Sequence, residues 1–265
     1  MGHVPTSTSR CLGCCILAIA FTALAHLPAR CEELPHEDLK AGNDSQKRYT
    51  LIGPSPKVTI GAEGYGLIVM IPGAGQTGAD WLPRAMEFAQ DLPNERYLFA
   101  YPFSVKWNEK QTNAWPTVKV PEKGMKFSTE EFLEALVADV KTRHKVDARR
   151  VFLYGYQAST RVAYAAGLRP RSPFTGIMAA MGEMKLKDLP PIAGARGRVW
   201  YLLSWDDPNY CPAGKMEEAR AALAKAGAKV ELKQFDGKQY LGGQGCAVLL
   251  AGLQWLEKNA GEPPK

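Results

Sequence analysis

Histidine is almost missing from this sequence: the chain of 265 residues has only His3, His26, His36 and His144, and none after position 144. No imidazole base can therefore come from the chain after that position, and no CxxC or Cys/His spacing points to zinc. Long apolar runs are missing as well. After residues 11–25, every apolar stretch is broken by charge or glycine within about ten residues, too short to span a bilayer. Basic residues outnumber acidic ones by only 33 to 27 and form no run of five or six, which gives nucleic acid binding little support. Of six cysteines, Cys11, Cys14, Cys15 and Cys31 lie within the first 31 residues, leaving Cys211 and Cys246 as the pair in the body.

The N-terminus has a polar start with Arg10, an apolar run of about 15 residues and small residues at Ala23 and Ala25. This pattern predicts a signal peptide over residues 1–31, cleaved between Ala25 and Cys31; a membrane anchor is the competing reading, and the run falls short of the roughly 20 residues an anchor needs. Its removal takes away Arg10 and Arg30, so the balance becomes 31 minus 27, or +4. In an exported protein Cys211 and Cys246 can form a disulfide; two isolated buried thiols are the alternative. Residues 32–48 are polar and charged without periodicity and predict a flexible approach to a single domain over residues 49–265.

Within that domain, short β-branched and aromatic runs alternate with helix-like segments. Strands are expected at 49–52, 58–60, 67–71, 97–101, 151–155, 175–180, 199–204 and 230–235, and such continuous runs suit strands buried on both faces. Helices fit 79–90, 158–167, 212–227 and 246–259, and the clearest opens at Ser128, which has capping-box spacing to Glu131 ahead of an apolar stripe through Val140. The alternation predicts an α/β fold: a mostly parallel sheet of about eight strands with helices on both faces. Between Phe103 and Phe127 runs a loop of about 25 residues carrying Trp107, Asn113, Trp115, Pro116 and Pro121. That length is unusual for a plain connection; it fits either a wall of a cleft or packing over a sheet edge.

Ligands of open parallel sheets sit at the carboxyl ends of the strands. Four turns there are informative. Pro72-Gly73-Ala74-Gly75-Gln76-Thr77-Gly78 is a glycine-rich bend whose spacing matches neither GxxxxGK[ST] nor GxGxxG. Gly155-Tyr156-Gln157-Ala158-Ser159 is a strand-to-helix turn with the context of the nucleophile elbow GxSxG, but with glutamine at its centre. Ser204-Trp205-Asp206-Asp207-Pro208 ends the seventh run, and Phe235-Asp236-Gly237-Lys238-Gln239 ends the last.

The stretch from Val146 to Ser159 resembles α/β-hydrolases of the polyhydroxybutyrate depolymerase, feruloyl esterase and dienelactone hydrolase kind, and residues 71–81 resemble their oxyanion loop. The resemblance implies that Gln157, Asp207 and Gln239 occupy the triad positions, and that the backbone N–H groups of Ala74 and Ala158 form the oxyanion hole. Asp207 as a turn or helix-capping residue stays open. A serine hydroxyl needs a base to attack, and a glutamine amide is neither nucleophile nor useful base. Ser159, half a turn past the elbow centre, should point away from the nucleophile position, and Cys246 lacks a histidine partner and has Cys211 to pair with.

The expectation is an exported α/β-hydrolase-like protein, catalytically silent and without a cofactor, that binds a small ester-like, acidic or saccharide ligand in the inherited cleft. Two alternatives stand beside it. One is a carboxylic-ester hydrolase with a non-standard site; the other is a structural or partner-binding protein that uses Trp107 and Trp115.

Overall fold

A computed structural model describes residues 34–56, 59–73, 78–93, 95–205, 214–235 and 245–261, with the side chains of 78–80 and 245–246 excepted. The leader, residues 32 and 33, Ala74, Asp207, Cys211, Gln239 and the side chain of Cys246 fall outside the described residues.

Eight strands form one sheet: β1 (His36–Lys40), β2 (Arg48–Ile52), β3 (Tyr65–Ile71), β4 (Tyr97–Pro102), β5 (Val146–Tyr156), β6 (Gly176–Ala180), β7 (Val199–Trp205) and β8 (Lys229–Phe235). Their order is β1-β2-β4-β3-β5-β6-β7-β8; β1 and β2 run antiparallel to their neighbours and every pairing from β4 to β8 is parallel. The helices are α1 (Gly78–Asp91), α2 (Thr129–Arg143), α3 (Thr160–Leu168), α4 (Lys215–Lys225) and α5 (Gly245–Asn259). No described helix is long and apolar enough to cross a membrane.

The expected doubly covered sheet follows from side-chain alternation. In β3, Leu67, Val69 and Ile71 face a core with α2, α3 and α4, while Ile68 and Met70 face a second core with α1 and α5. β5 repeats this with Val151 and Leu153 on one side and Phe152, Tyr154 and Tyr156 on the other. Both faces are apolar because both are buried, so these strands lack polar alternation. Ser128 caps α2 as its spacing predicts: its hydroxyl accepts from Glu131 N–H and the Glu131 carboxylate accepts from Ser128 N–H.

Residues 36–43 correct the expected flexible approach. β1 pairs with β2 from His36↔Ile52 to Lys40↔Arg48, and a 3-10 turn at Ala41–Asn43 follows. An edge strand needs only one apolar anchor: Leu39 and Ala41 are buried while His36, Glu37 and Asp38 face solvent, so the segment reads as polar. Charged residues on such an edge also discourage pairing with another chain. The expected strand at 58–60 is a second departure. Val58 lies outside the described residues, and Thr59 and Ile60 belong to no strand.

From β3 the chain goes out to β4 on one side and returns to β5 on the other. The sheet order therefore reverses at β3 and β5, and a crevice opens beyond their carboxyl ends.

Candidate active site: a cleft at the end of β5

The turn after β5 has the backbone of a nucleophile elbow. Gln157 sits at φ +51°, one of three non-glycine residues with positive φ among those described. This left-handed conformation costs an L-residue about 1–2 kcal/mol and persists only where its surroundings fix it. The surroundings here are tight. A Cβ on Gly155 would come within 2.8 Å of Ala163 Cβ and 2.9 Å of Ser159 O, so the turn can pack on α3 only with glycine there. Ser159 Oγ accepts from Tyr156 N–H at 2.8 Å, and its hydroxyl lies 2.9 Å from Ile71 O, within donor reach of the end of β3. Gln157 O accepts from Thr160 Oγ1 at 2.6 Å, and Gly182, after β6, packs so closely that a Cβ would overlap Thr160.

Ser159 is completely buried and committed to these bonds. It does not present a hydroxyl to solvent. Gln157 and Ala158 do face open space: they line a cleft of about 500 Å³, together with Thr112, Asn113, Ala114 and Trp115 from the long loop, Thr160 and Arg161 from α3, and Met181, Gly182, Glu183 and Lys185 beyond β6. Two other cavities, about 20 Å³ beneath α5 and about 10 Å³ beside Trp107, hold no more than a water or two. Ala158 lines the cleft at the start of a helical segment, where N–H groups have no acceptor within the segment.

The loop of residues 103–127 is a built wall. Trp115, 2% exposed, donates from Nε1 to Pro72 O at 2.9 Å, while Gln111 Nε2 donates to Val105 O and Asn113 O at 3.0 and 2.7 Å. The Glu130 carboxylate accepts from Val118 N–H at 3.2 Å; burial raises its pKa, against the opposing pull of these backbone hydrogen bonds. Trp115 packs into the core and lines the cleft. Trp107 does not line the cleft; its ring packs edge to face on Phe127 with centroids 4.8 Å apart.

The sequence motifs did not single out Arg161, Glu183 or Lys185. Arg161 Nη2 donates to Asn113 Oδ1 at 2.7 Å, across 48 positions of chain, and Glu183 and Lys185 pair at 3.5 Å. Arg161 stands one helical turn past the elbow centre at the carboxyl end of the sheet, and that placement was the available signal. His144 caps the end of α2 with its ring edge-on to Tyr65, at the amino end of β5 and away from the cleft. Among the described residues no cluster of three His, Cys, Asp or Glu side chains is placed to hold a metal. Of the three positions that the sequence resemblance assigns to a triad, the described residues place Gln157 at the cleft; Asp207 and Gln239 lie outside the described residues.

No protein-family model matches the chain, and comparison with curated proteins finds no match. Solved structures do match. A thermostable esterase superimposes with a TM-score of 0.63 at 14% identity over 87% of this chain and 64% of that one. A ferulic acid esterase gives 0.61 at 13% over 86% and 98%, and an α/β hydrolase enzyme from a Medee basin deep-sea metagenome library gives 0.61 at 11% over 85% and 98%. This chain thus spans 64% of the thermostable esterase's length. At such identities the likeness is one of fold, and the fold is that of the α/β-hydrolases.

Proposed function

We propose that this α/β-hydrolase-fold chain is exported and catalytically silent, and that it binds a small ester-like, acidic or saccharide ligand in the cleft at the end of β5. One observation carries the reading: the strained elbow position, φ +51°, holds Gln157, whose amide can neither attack a carbonyl nor be activated to do so. Support comes from the histidine census, since no histidine follows position 144 to serve as base, and from Gln239 at the position where the resemblance places one. Removal of any triad member costs serine hydrolases several powers of ten, and what remains comes from the oxyanion hole and binding. Gln157 has a left-handed backbone and lines a cleft of about 500 Å³, which supports a binding role. Export rests on the leader pattern of residues 1–31.

The solved neighbours include esterases, and an ester hydrolase with a non-standard site is the second reading. Burial of Ser159 weighs against it. The deciding experiment compares wild type, Gln157→Ser and Gln157→Ser with Gln239→His on a panel of p-nitrophenyl esters. We expect background rates for the first two and turnover only from the double variant. Wild-type turnover that disappears in Asp207→Ala would overturn the reading.

A further inference from the structure

The cleft has a charge pattern that selects among its possible ligands. Glu183 and Lys185 neutralise each other at 3.5 Å, whereas no carboxylate among the described residues pairs with Arg161. Arg161 is nonetheless fixed. Its Nη2 donates to Asn113 Oδ1 at 2.7 Å, and the same oxygen accepts from Trp115 N–H at 3.2 Å, so the loop fixes the amide oxygen that anchors one edge of the guanidinium. Two further donors of this pair, Arg161 Nε and Asn113 Nδ2, are closed to water and meet no acceptor among the described residues. Closed to water, they are closed to a ligand in the cleft as well, which leaves Nη1 and the second N–H of Nη2 as the donors that can face it.

The position adds to the pattern. Arg161 lies in the first turn of α3, and helical side chains tilt toward the N-terminus, which directs it toward the Gln157 turn. That end of α3 favours negative charge. A planar guanidinium held on one edge offers its remaining donors as a fork, the geometry that suits a carboxylate.

We infer that Arg161, positioned by Asn113, is the head-group subsite of this cleft and that the ligand carries a carboxylate. Among the classes proposed above this selects acids over neutral esters and sugars. The inference rests on the cleft being a ligand site.

The test uses the full mature chain and two matched probe pairs, benzoate with methyl benzoate and gluconate with glucose, with binding followed by calorimetry at low salt and again at about 0.5 M salt. The acids should bind about tenfold or more tighter than their neutral partners and weaken with salt. Arg161→Met should lose about tenfold to a hundredfold of acid affinity without changing the neutral probes, and Arg161→Lys should recover part of it. Lys187→Met, outside the cleft lining, controls for overall charge. Melting curves establish that each variant is folded.

Equal affinity for acid and neutral probes, or acid binding indifferent to both Arg161 substitutions, would overturn the inference while leaving the cleft a ligand site. Absence of binding by all four probes at about 10 mM would overturn it as well, and would count against the cleft reading. Ester turnover by wild type, by contrast, would remove catalytic silence and leave acid recognition by Arg161 intact.

Discussion

The indole N–H of Trp115 donates to the carbonyl oxygen of Pro72 across 2.9 Å, joining the long loop to the end of β3 where the glycine-rich turn begins. Asn113, two residues earlier, receives Arg161 from the other side of the cleft. The loop is therefore tied both to the end of β3 and to the first turn of α3.

Replacing Trp115 with phenylalanine keeps the ring in the core and deletes the donor. Pro72 O is buried and then has no partner from the loop, which should cost about 1–3 kcal/mol. Urea unfolding of Trp115→Phe against wild type measures this; a loss under about 0.5 kcal/mol would mean the bond contributes nothing net.

The left-handed backbone at Gln157 predicts an unusual ranking of substitutions. Gln157→Gly removes a cost of about 1–2 kcal/mol and regains entropy in the unfolded chain, so a net gain of up to about 1 kcal/mol is expected. Gln157→Val should destabilise, because a β-branched side chain tolerates positive φ worst. Gln157→Ser should lie within about 0.5 kcal/mol of wild type, which makes the catalytic test above a fair one. Thermal melts of the three variants check the order Gly, Ser, Val.

Ser159 and Gly155 should be indispensable to the turn in different ways. Ser159→Ala removes the hydroxyl that bonds Tyr156 N–H and Ile71 O, at a cost of about 1–3 kcal/mol, and Gly155→Ala forces apart backbone and Ala163 at a similar cost. If Ser159 were instead a nucleophile, its alanine variant would lose ester turnover at unchanged stability, and parallel melting and esterase assays distinguish the two.

At the opposite end of β5, Asp147 predicts a pH dependence. Burial pushes its pKa up, but hydrogen bonds from the Arg149 side chain and N–H and from Arg150 outweigh this and hold it below the ordinary carboxylate value. A depressed folded pKa contributes stability that is fully present above the ordinary value, about 3.9, and is lost as pH falls through the folded one. Asp147→Asn should cost about 1–2 kcal/mol at pH 7 and progressively less as pH falls below about 3.9 and through the folded pKa, so the two melting curves converge on acidification. A constant difference across that range would contradict this assignment.

Much of this architecture is written locally. The six inner strands announce themselves as apolar runs because both of their faces are buried, and Ser128 marks the start of α2 through chemistry confined to four residues. The β1 strand escaped detection because only Leu39 in it is buried, so a strand defined by its partner β2 looks polar when read alone. Charged edge strands hide in sequences for the same reason that they protect sheets.

The sequence by itself determined the identity of the elbow residue, the scarcity of histidine and the order of strands and helices from β3 onward, since these follow from residue types and short periodicities. The left-handed backbone at Gln157, the burial of Ser159 and the meeting of Arg161 with Asn113 across 48 positions of chain were decided only by the tertiary structure. Polar side chains in a cleft wall carry no periodic signal, and their partners are set by which strand ends the sheet order brings together.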